Sequence, residues 1–297
     1  MTENILCCKN DIDKDNNYLI ESKNETNEKK EVKIAFLFLI YQTIELEELW
    51  MKFFENVDKN KYNIYIHYKY NKQLKYFNDY KITNCTPTKW GHISLVNAQN
   101  LLLLQALKDI NNRHFIFLSD TCLPFKNFDY IYNFLDSSKS YFNILKRREC
   151  FPRCNKILEE VDKKYIYKAS QWCILNRKHA ELMSSCDFNP IYEKLFAPDE
   201  HCYIITIFQH NLENEIIITQ EATNNATTFI NRYEMKYKYR GKKAGIKEYT
   251  SITEEEIEYL LKSRCLFGRK FKKSCISNFL NSKEYQIEIL DIKIAQI

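Results

Sequence analysis

Two adjacent carboxylates, Asp199 and Glu200, sit in the segment Phe196-Ala-Pro-Asp-Glu-His-Cys-Tyr203, between a proline and an apolar run. A carboxylate where a loop meets a buried element is suited to take a proton from an attacking hydroxyl. Pro198 fits the first turn of a helix, where its missing N–H costs nothing, and Tyr203, Ile204, Ile207 and Phe208 then recur at helical spacing. A second reading is that both acids merely complement the helix dipole, worth about 0.3–1 kcal/mol. Cations suited to holding an anion cluster in three places: Arg147, Arg148 and Arg153; residues 231–248, with Arg232, Lys236, Lys238, Arg240, Lys242, Lys243 and Lys247 among tyrosines; and Arg269, Lys270, Lys272 and Lys273. Each cluster also reads as a solvated face.

Composition narrows what these groups could act on. The chain has 297 residues, 45% of them hydrophobic and 14% aromatic, enough for one large α/β domain with a sizeable core. It has only 4 glycines and lacks G-x-x-x-x-G-K-[ST] and G-x-G-x-x-G, which closes the Walker and Rossmann routes to nucleotide binding. A net charge of +5 suits an anionic small molecule as well as a nucleic acid. The 11 cysteines are irregularly spaced. Cys150 and Cys154 lack a second pair at zinc-site spacing, although His179 and His201 could join them. Reduced, mostly buried thiols are the expectation, with no metal site.

The elements that must position these groups follow from periodicity. Residues 1–31 are polar and aperiodic, expected to be a disordered tail without a signal peptide. The longest apolar run, Ile34 to Tyr41, is far short of the about 20 residues that span a bilayer. A soluble, cytoplasmic protein is the expectation. Lys33 to Tyr41 reads as a buried parallel strand, Leu46 to Phe54 as a helix, and Tyr62 to Tyr68 as an alternating strand. Ser94 is placed to cap a long helix through Leu107, and His114 to Asp120 forms a third strand. A helix over Tyr130 to Leu135 follows, then a strand over Ser170 to Leu175, a helix from Arg177 and a strand from Asn214 to Thr219. Thr253 and Glu256 form a capping box for a helix to about Leu261. Strands alternating with helices predict a doubly wound sheet, with ligands beyond the strands' carboxyl ends. The ends carry Tyr41-Gln42, His67-Tyr68-Lys69 and Ser119-Asp120, an aromatic and polar set suited to a base and a ribose.

Several segments, taken in order, resemble the core-2/I-branching enzyme family of glycosyltransferases in its plant-type and large-virus branch: Trp90-Gly-His-Ile-Ser94, Phe117-Leu-Ser-Asp-Thr-Cys-Leu-Pro124, Ser170-Gln-Trp172, Arg177-x-His179-Ala180, Pro198-Asp-Glu200 and Leu266-Phe-Gly-Arg-Lys-Phe271. The likeness covers residues 33–272. It implies a GT-A fold, a doubly wound mixed sheet flanked by helices in a single domain (32–275), followed by a C-terminal extension (276–297). It further implies inverting, metal-independent transfer of a sugar, N-acetylglucosamine first and xylose or glucuronic acid as alternatives, from a UDP-sugar to a hydroxyl of a glycan or glycoprotein. Glu200 matches the family's general base. Lys270 and its neighbour Arg269 match the cations that take the diphosphate charge, with Lys247 as a candidate second cation. By position Tyr41, His67 and Tyr68 are expected near the uridine, and Ser170, Gln171, Trp172, Asp120 and Arg153 near the sugar or acceptor. The Asp-x-Asp patterns, Asp11-Ile-Asp13 and Asp13-Lys-Asp15, lie in the polar tail, which agrees with a site that needs no metal. Golgi members carry a membrane anchor, whereas this chain begins with the polar tail. Its richness in Lys, Asn and Ile points to an AT-rich genome, as in some protists and large DNA viruses. Two other classes remain open: an inactive UDP- or sugar-binding module, and a nucleic-acid binder using residues 231–273, for which no recognisable motif exists.

Overall fold

The apolar run Lys33–Ile40 (β1) becomes an interior strand of a six-stranded sheet in the computed structural model, which describes residues 32–144, 151–220, 227–230, 232–236 and 242–292. Its side chains divide by parity. Ile34, Phe36, Phe38 and Ile40 enter one apolar cluster, and Ala35, Leu37 and Leu39 enter the other, on the opposite face. Tyr62–Tyr68 (β2) and Asn112–Ser119 (β3) pair with it in parallel on either side. Helix Glu47–Phe54 (α1) buries Leu49, Trp50, Phe53 and Phe54 in the first cluster, and Ser94–Ala106 (α2) buries Val96, Ala98, Leu102, Leu103 and Ala106 in the second. The two crossovers therefore cover opposite faces, the doubly wound arrangement that the alternation of elements predicts.

Beyond β3 the sheet becomes mixed. Leu123–Pro124 (β4) leaves it, Phe128–Phe134 (α3) packs on the first cluster, and Ser140–Ile144 (β5) re-enters. After the short helix Phe151–Cys154 (α4), Ile174–Asn176 (β6) inserts antiparallel between β3 and β5, and Ile216–Gln220 (β7) runs parallel along the outer side of β5. The order is β2-β1-β3-β6-β5-β7. The expected strand Ser170–Leu175 is paired only from Ile174 onward. Ser170 N–H donates to Asn143 O at 2.8 Å and Ser170 Oγ accepts from Trp172 N–H at 3.3 Å, which bends this stretch out of the ladder.

Helices Arg177–Ser185 (α5), Asn189–Tyr192 (α6) and Cys202–Gln209 (α7) complete the second face. Thr228–Ile230 (β8) is followed by a hairpin of Arg232–Lys236 (β9) and Lys242–Ile246 (β10). Glu254–Lys262 (α8) carries the capping box read from Thr253 and Glu256. Phe267–Arg269 (β11) then lies between β4 and β8 in a small sheet of its own. Ile276–Asn281 (α9) and Lys283–Glu288 (α10) bury Phe279 and Tyr285 in the first cluster, so the C-terminal extension shares that core.

Two local expectations change. Pro198–Glu200 is a separate 3-10 turn and α7 begins only at Cys202. Ala197 sits in the left-handed region (φ 57°), and Glu200 N–H and His201 N–H donate to Ala197 O and Pro198 O, closing the turn before the helix starts. Ser94 is the first residue of α2 and does not cap it; its Oγ accepts Lys89 N–H at 3.0 Å and holds the preceding loop. Seven of the eight described cysteines are buried. The tail, Arg147, Arg148 and Cys150 lie outside the described residues.

Candidate active site

Parallel strands β1 and β3 end side by side, and the residues just past them, Tyr41 and Asp120, open one wall of a cleft of about 660 Å³. That size suits a small ligand. Tyr41 N–H donates to Asp120 Oδ2 at 3.3 Å. Burial pushes the Asp120 carboxyl up, against the pull of that N–H and of Arg269. The Tyr41 ring stands edge-on to Tyr70 with centroids 5.0 Å apart, and Lys69 Nζ lies 5.2 Å and 5.3 Å from the two rings. This corner offers a flat exposed ring and a cation to a ligand.

β11 brings the cations. The Arg269 guanidinium lies 4.5 Å from the Trp172 ring centroid, and Lys270 Nζ lies 3.7 Å from Glu248. Burial, and then the neighbouring Arg269, hold the Lys270 ammonium below its ordinary range. Gly268 makes this placement possible: a Cβ there would fall 2.0 Å from Phe125 Cζ, so a side chain would push β11 off its neighbour. A further recess of about 410 Å³ adjoins the cleft and shares Tyr41, Asp120, Arg269 and Lys270 with it.

The turn 196–200 also lines the cleft. Glu200 Oε2 lies 2.6 Å from Arg153 Nη1 and 3.0 Å from Lys168 Nζ, so two cations from different segments fix where this carboxylate points. Asp199 does not cap a helix. It is half-buried overall, yet its Oδ1 is sealed from solvent and finds no hydrogen-bond partner among the described residues. Burial first, and the Glu200 charge second, push its carboxyl up to about 7. Gln171 Nε2 likewise has no partner among the described residues and lines the same cleft.

The raised Asp199 has a stability consequence whose sign is fixed. Its folded value lies above its unfolded one, so between about pH 4 and pH 7 the native state binds more protons, and stability is lost as pH rises through that window. Asp199→Asn is therefore expected to stabilise the fold at pH 8 by on the order of 2–4 kcal/mol, the gain shrinking towards pH 4. Denaturant melts at the two pH values measure it; an equal effect at both would show that Asp199 does not titrate this way.

Nine of the twelve residues singled out in the sequence line the cleft: Tyr41, Asp120, Arg153, Ser170, Gln171, Trp172, Glu200, Arg269 and Lys270. Three do not. His67 is fully buried with its Nε2 accepting Thr86 N–H at 2.9 Å, and burial pushes its imidazole down to about 4, so it is a neutral loop anchor. Tyr68 packs against the first cluster with Lys81 Nζ 5.4 Å from its ring. Lys247 is taken by α8, paired with Glu256 at 2.9 Å and lying 4.1 Å from the Tyr249 ring. In their place the cleft gains Lys69, Lys168, Trp90 and Phe196. Lys168 has no sequence signal, being one lysine among many; Lys69 stands at the strand end already read from the sequence, and Trp90 and Phe196 stand in segments already singled out. Cys154 Sγ approaches His201 Nδ1 at 3.5 Å, but among the described residues no group of three or more His, Cys, Asp or Glu is placed to hold a metal ion.

A model of the core-2/I-branching enzyme family matches residues 34–260, a span that includes nearly all of the six-stranded sheet and Glu200 and stops short of Arg269 and Lys270. The chain belongs to the core-2/I-branching enzyme family of glycosyltransferases. Among relatives, the glycosyltransferase BC10 of Oryza sativa subsp. japonica is 28% identical over 222 residues, covering 62% of this chain and 55% of the rice protein. The chain thus spans about half the length of that relative. A solved glycosyltransferase involved in the glycosylation of the major capsid of PBCV-1 is 12% identical at a TM-score of 0.41, covering 80% of this chain and 94% of that one. No helix among the described residues is long and apolar enough to cross a membrane.

Proposed function

We propose that this member of the family transfers a sugar, N-acetylglucosamine first, from a UDP-sugar to a hydroxyl of a glycan or glycoprotein, with inversion and without a metal ion. One observation carries the reading: a single cleft is lined by a fixed carboxylate, Glu200, and by the Arg269–Lys270 pair, and the adjoining recess is lined by the pair without the carboxylate. Inversion needs a base on one face of the sugar and a stabilised leaving group on the other. The acceptor oxygen attacks the anomeric carbon from the face opposite the leaving diphosphate, Glu200 takes the hydroxyl proton, and the bond to the diphosphate breaks with its electron pair leaving on UDP. Charge then grows on the diphosphate, where a guanidinium and an ammonium in a partly buried setting stabilise it more than water would. Arg269 supplies a planar fork and Lys270 a point charge. The exposed Tyr41 ring with Lys69 suits the uracil, and Gln171 Nε2 is an uncommitted donor for the sugar.

The test is a thermal-shift and turnover panel of UDP-N-acetylglucosamine, UDP-xylose and UDP-glucuronic acid, with and without EDTA. The expected result is a UDP-dependent rise in Tm and turnover that both persist in EDTA, strongest for the N-acetylglucosamine donor. No shift with any nucleotide would refute the donor assignment, and loss of turnover in EDTA would refute metal independence.

A further inference from the structure

Trp90 is the most exposed large hydrophobic side chain among the described residues, 79% accessible, and it stands at the cleft beside Phe196, itself 49% accessible. Their rings meet edge to face with centroids 5.1 Å apart. This pair is built in. Gly91 follows Trp90 at φ 71° and its carbonyl accepts Ala197 N–H at 2.9 Å, which ties the Trp90 turn to the Phe196 turn. A Cβ on Gly91 would lie 2.6 Å from Phe196 Cε2, so in a chain with 4 glycines one is spent on letting these aromatic residues meet. The Arg153 guanidinium lies 5.6 Å from the Phe196 ring and also bonds Glu200, so the platform and the carboxylate are mechanically joined.

Which substrate this platform serves follows from its place. Phe196 is four residues from Glu200 on the same turn, whereas the recess beyond the cleft is lined by Tyr41, Asp120, Arg269 and Lys270 and by neither Trp90 nor Phe196. The platform is therefore on the carboxylate side, away from the cation pair. A pyranose ring presents C–H bonds on one face and hydroxyls at its edge. It matches an exposed indole in a cleft that Thr88 and Arg153 also line, where a bare peptide hydroxyl would leave both rings in water.

We propose that Trp90 and Phe196 form a stacking subsite for a pyranose ring of an oligosaccharide acceptor, next to the sugar that carries the attacking hydroxyl. The acceptor is then an existing saccharide, and its recognition depends on a ring beyond the reacting one. This rests on the donor and base assignment above.

Trp50 is fully buried, whereas Trp90 and Trp172 both line the cleft, so the emission change is assigned to Trp90 by comparing the wild type with Trp90→Phe. Chitotetraose, xylotetraose, cellotetraose and a Galβ1-3GalNAc glycoside are titrated against the full chain, alongside UDP by calorimetry. At least one saccharide is expected to shift the emission saturably, and Trp90→Ala and Phe196→Ala to weaken its binding by calorimetry about tenfold or more with UDP affinity unchanged. Trp90→Phe should recover most of the loss. In turnover, KM for that saccharide rises with kcat nearly constant, while KM for the matching monosaccharide glycoside does not move. UDP binding without any saccharide response, or saccharide affinity untouched in both alanine variants, would overturn the subsite. Saccharide binding at Trp90 without UDP binding would uphold the subsite and sink the donor assignment instead.

Discussion

Glu200→Gln is expected to lower kcat by about 10²–10⁴-fold while UDP affinity stays within about twofold of the wild type. Glutamine keeps the shape of the side chain and can still accept hydrogen bonds through its carbonyl, but it cannot take a proton. The substitution also leaves Arg153 and Lys168, now held at 2.6 Å and 3.0 Å from Oε2, facing a neutral group. Both are only partly buried, so the resulting stability loss is modest and a melt separates misfolding from lost chemistry. Single-turnover rates with the best donor, beside UDP calorimetry, make the measurement. Unchanged kcat would remove Glu200 as base. Asp199, adjacent in the chain and in the same cleft, would then be the carboxylate to examine.

Lys270→Ala is expected to reduce kcat/KM by on the order of 10²-fold, with most of the effect in kcat. The donor is already charged when bound, so both cations contribute to ground-state binding. The additional charge appears only as the anomeric bond breaks, and in the proposed reaction Lys270 meets it from a half-buried position beside Arg269. Lys270→Arg should restore part of the rate, since the charge returns with a different reach. Lys247→Ala is the contrasting variant: its ammonium is engaged by Glu256 on α8, outside the cleft, so donor kinetics should hardly change. A loss at Lys270 confined to KM would mean that the lysine binds the donor without favouring the transition state. An effect at Lys247 equal to that at Lys270 would contradict the assignment of the cation pair.

Local physics reached the elements more readily than the site. A strand buried on both faces must be apolar throughout, so Lys33–Ile40 was legible as such, and the alternation of Tyr62–Tyr68 marked β2. The capping box of Thr253 and Glu256 is a contact within one turn of helix, and it formed as read. Antiparallel β6 was not legible in this way. Three paired residues carry too little periodicity to declare a direction, and its place between β3 and β5 depends on contacts across the sheet.

For the site, the amino-acid sequence by itself determined the family, through motifs whose order outweighs any one of them, and with it the two residues proposed as base and diphosphate ligand, Glu200 and Lys270. The tertiary structure decided what surrounds them. His67 and Tyr68 follow one another at the end of β2, and alternation cannot say which neighbour a strand-end side chain will meet; one ring turned into the interior and the other onto the core. Lys247 was chosen among many similar cations, and a carboxylate on α8 claimed it. Arg153 reaches Glu200 from 47 residues away, and Lys168 joins them there; such convergence is set by where separate elements pack and leaves no mark on the spacing of either residue. Trp90 and Phe196 show the same division. The chain supplied two aromatic residues and a scarce glycine, and the packing of two distant turns made them one surface.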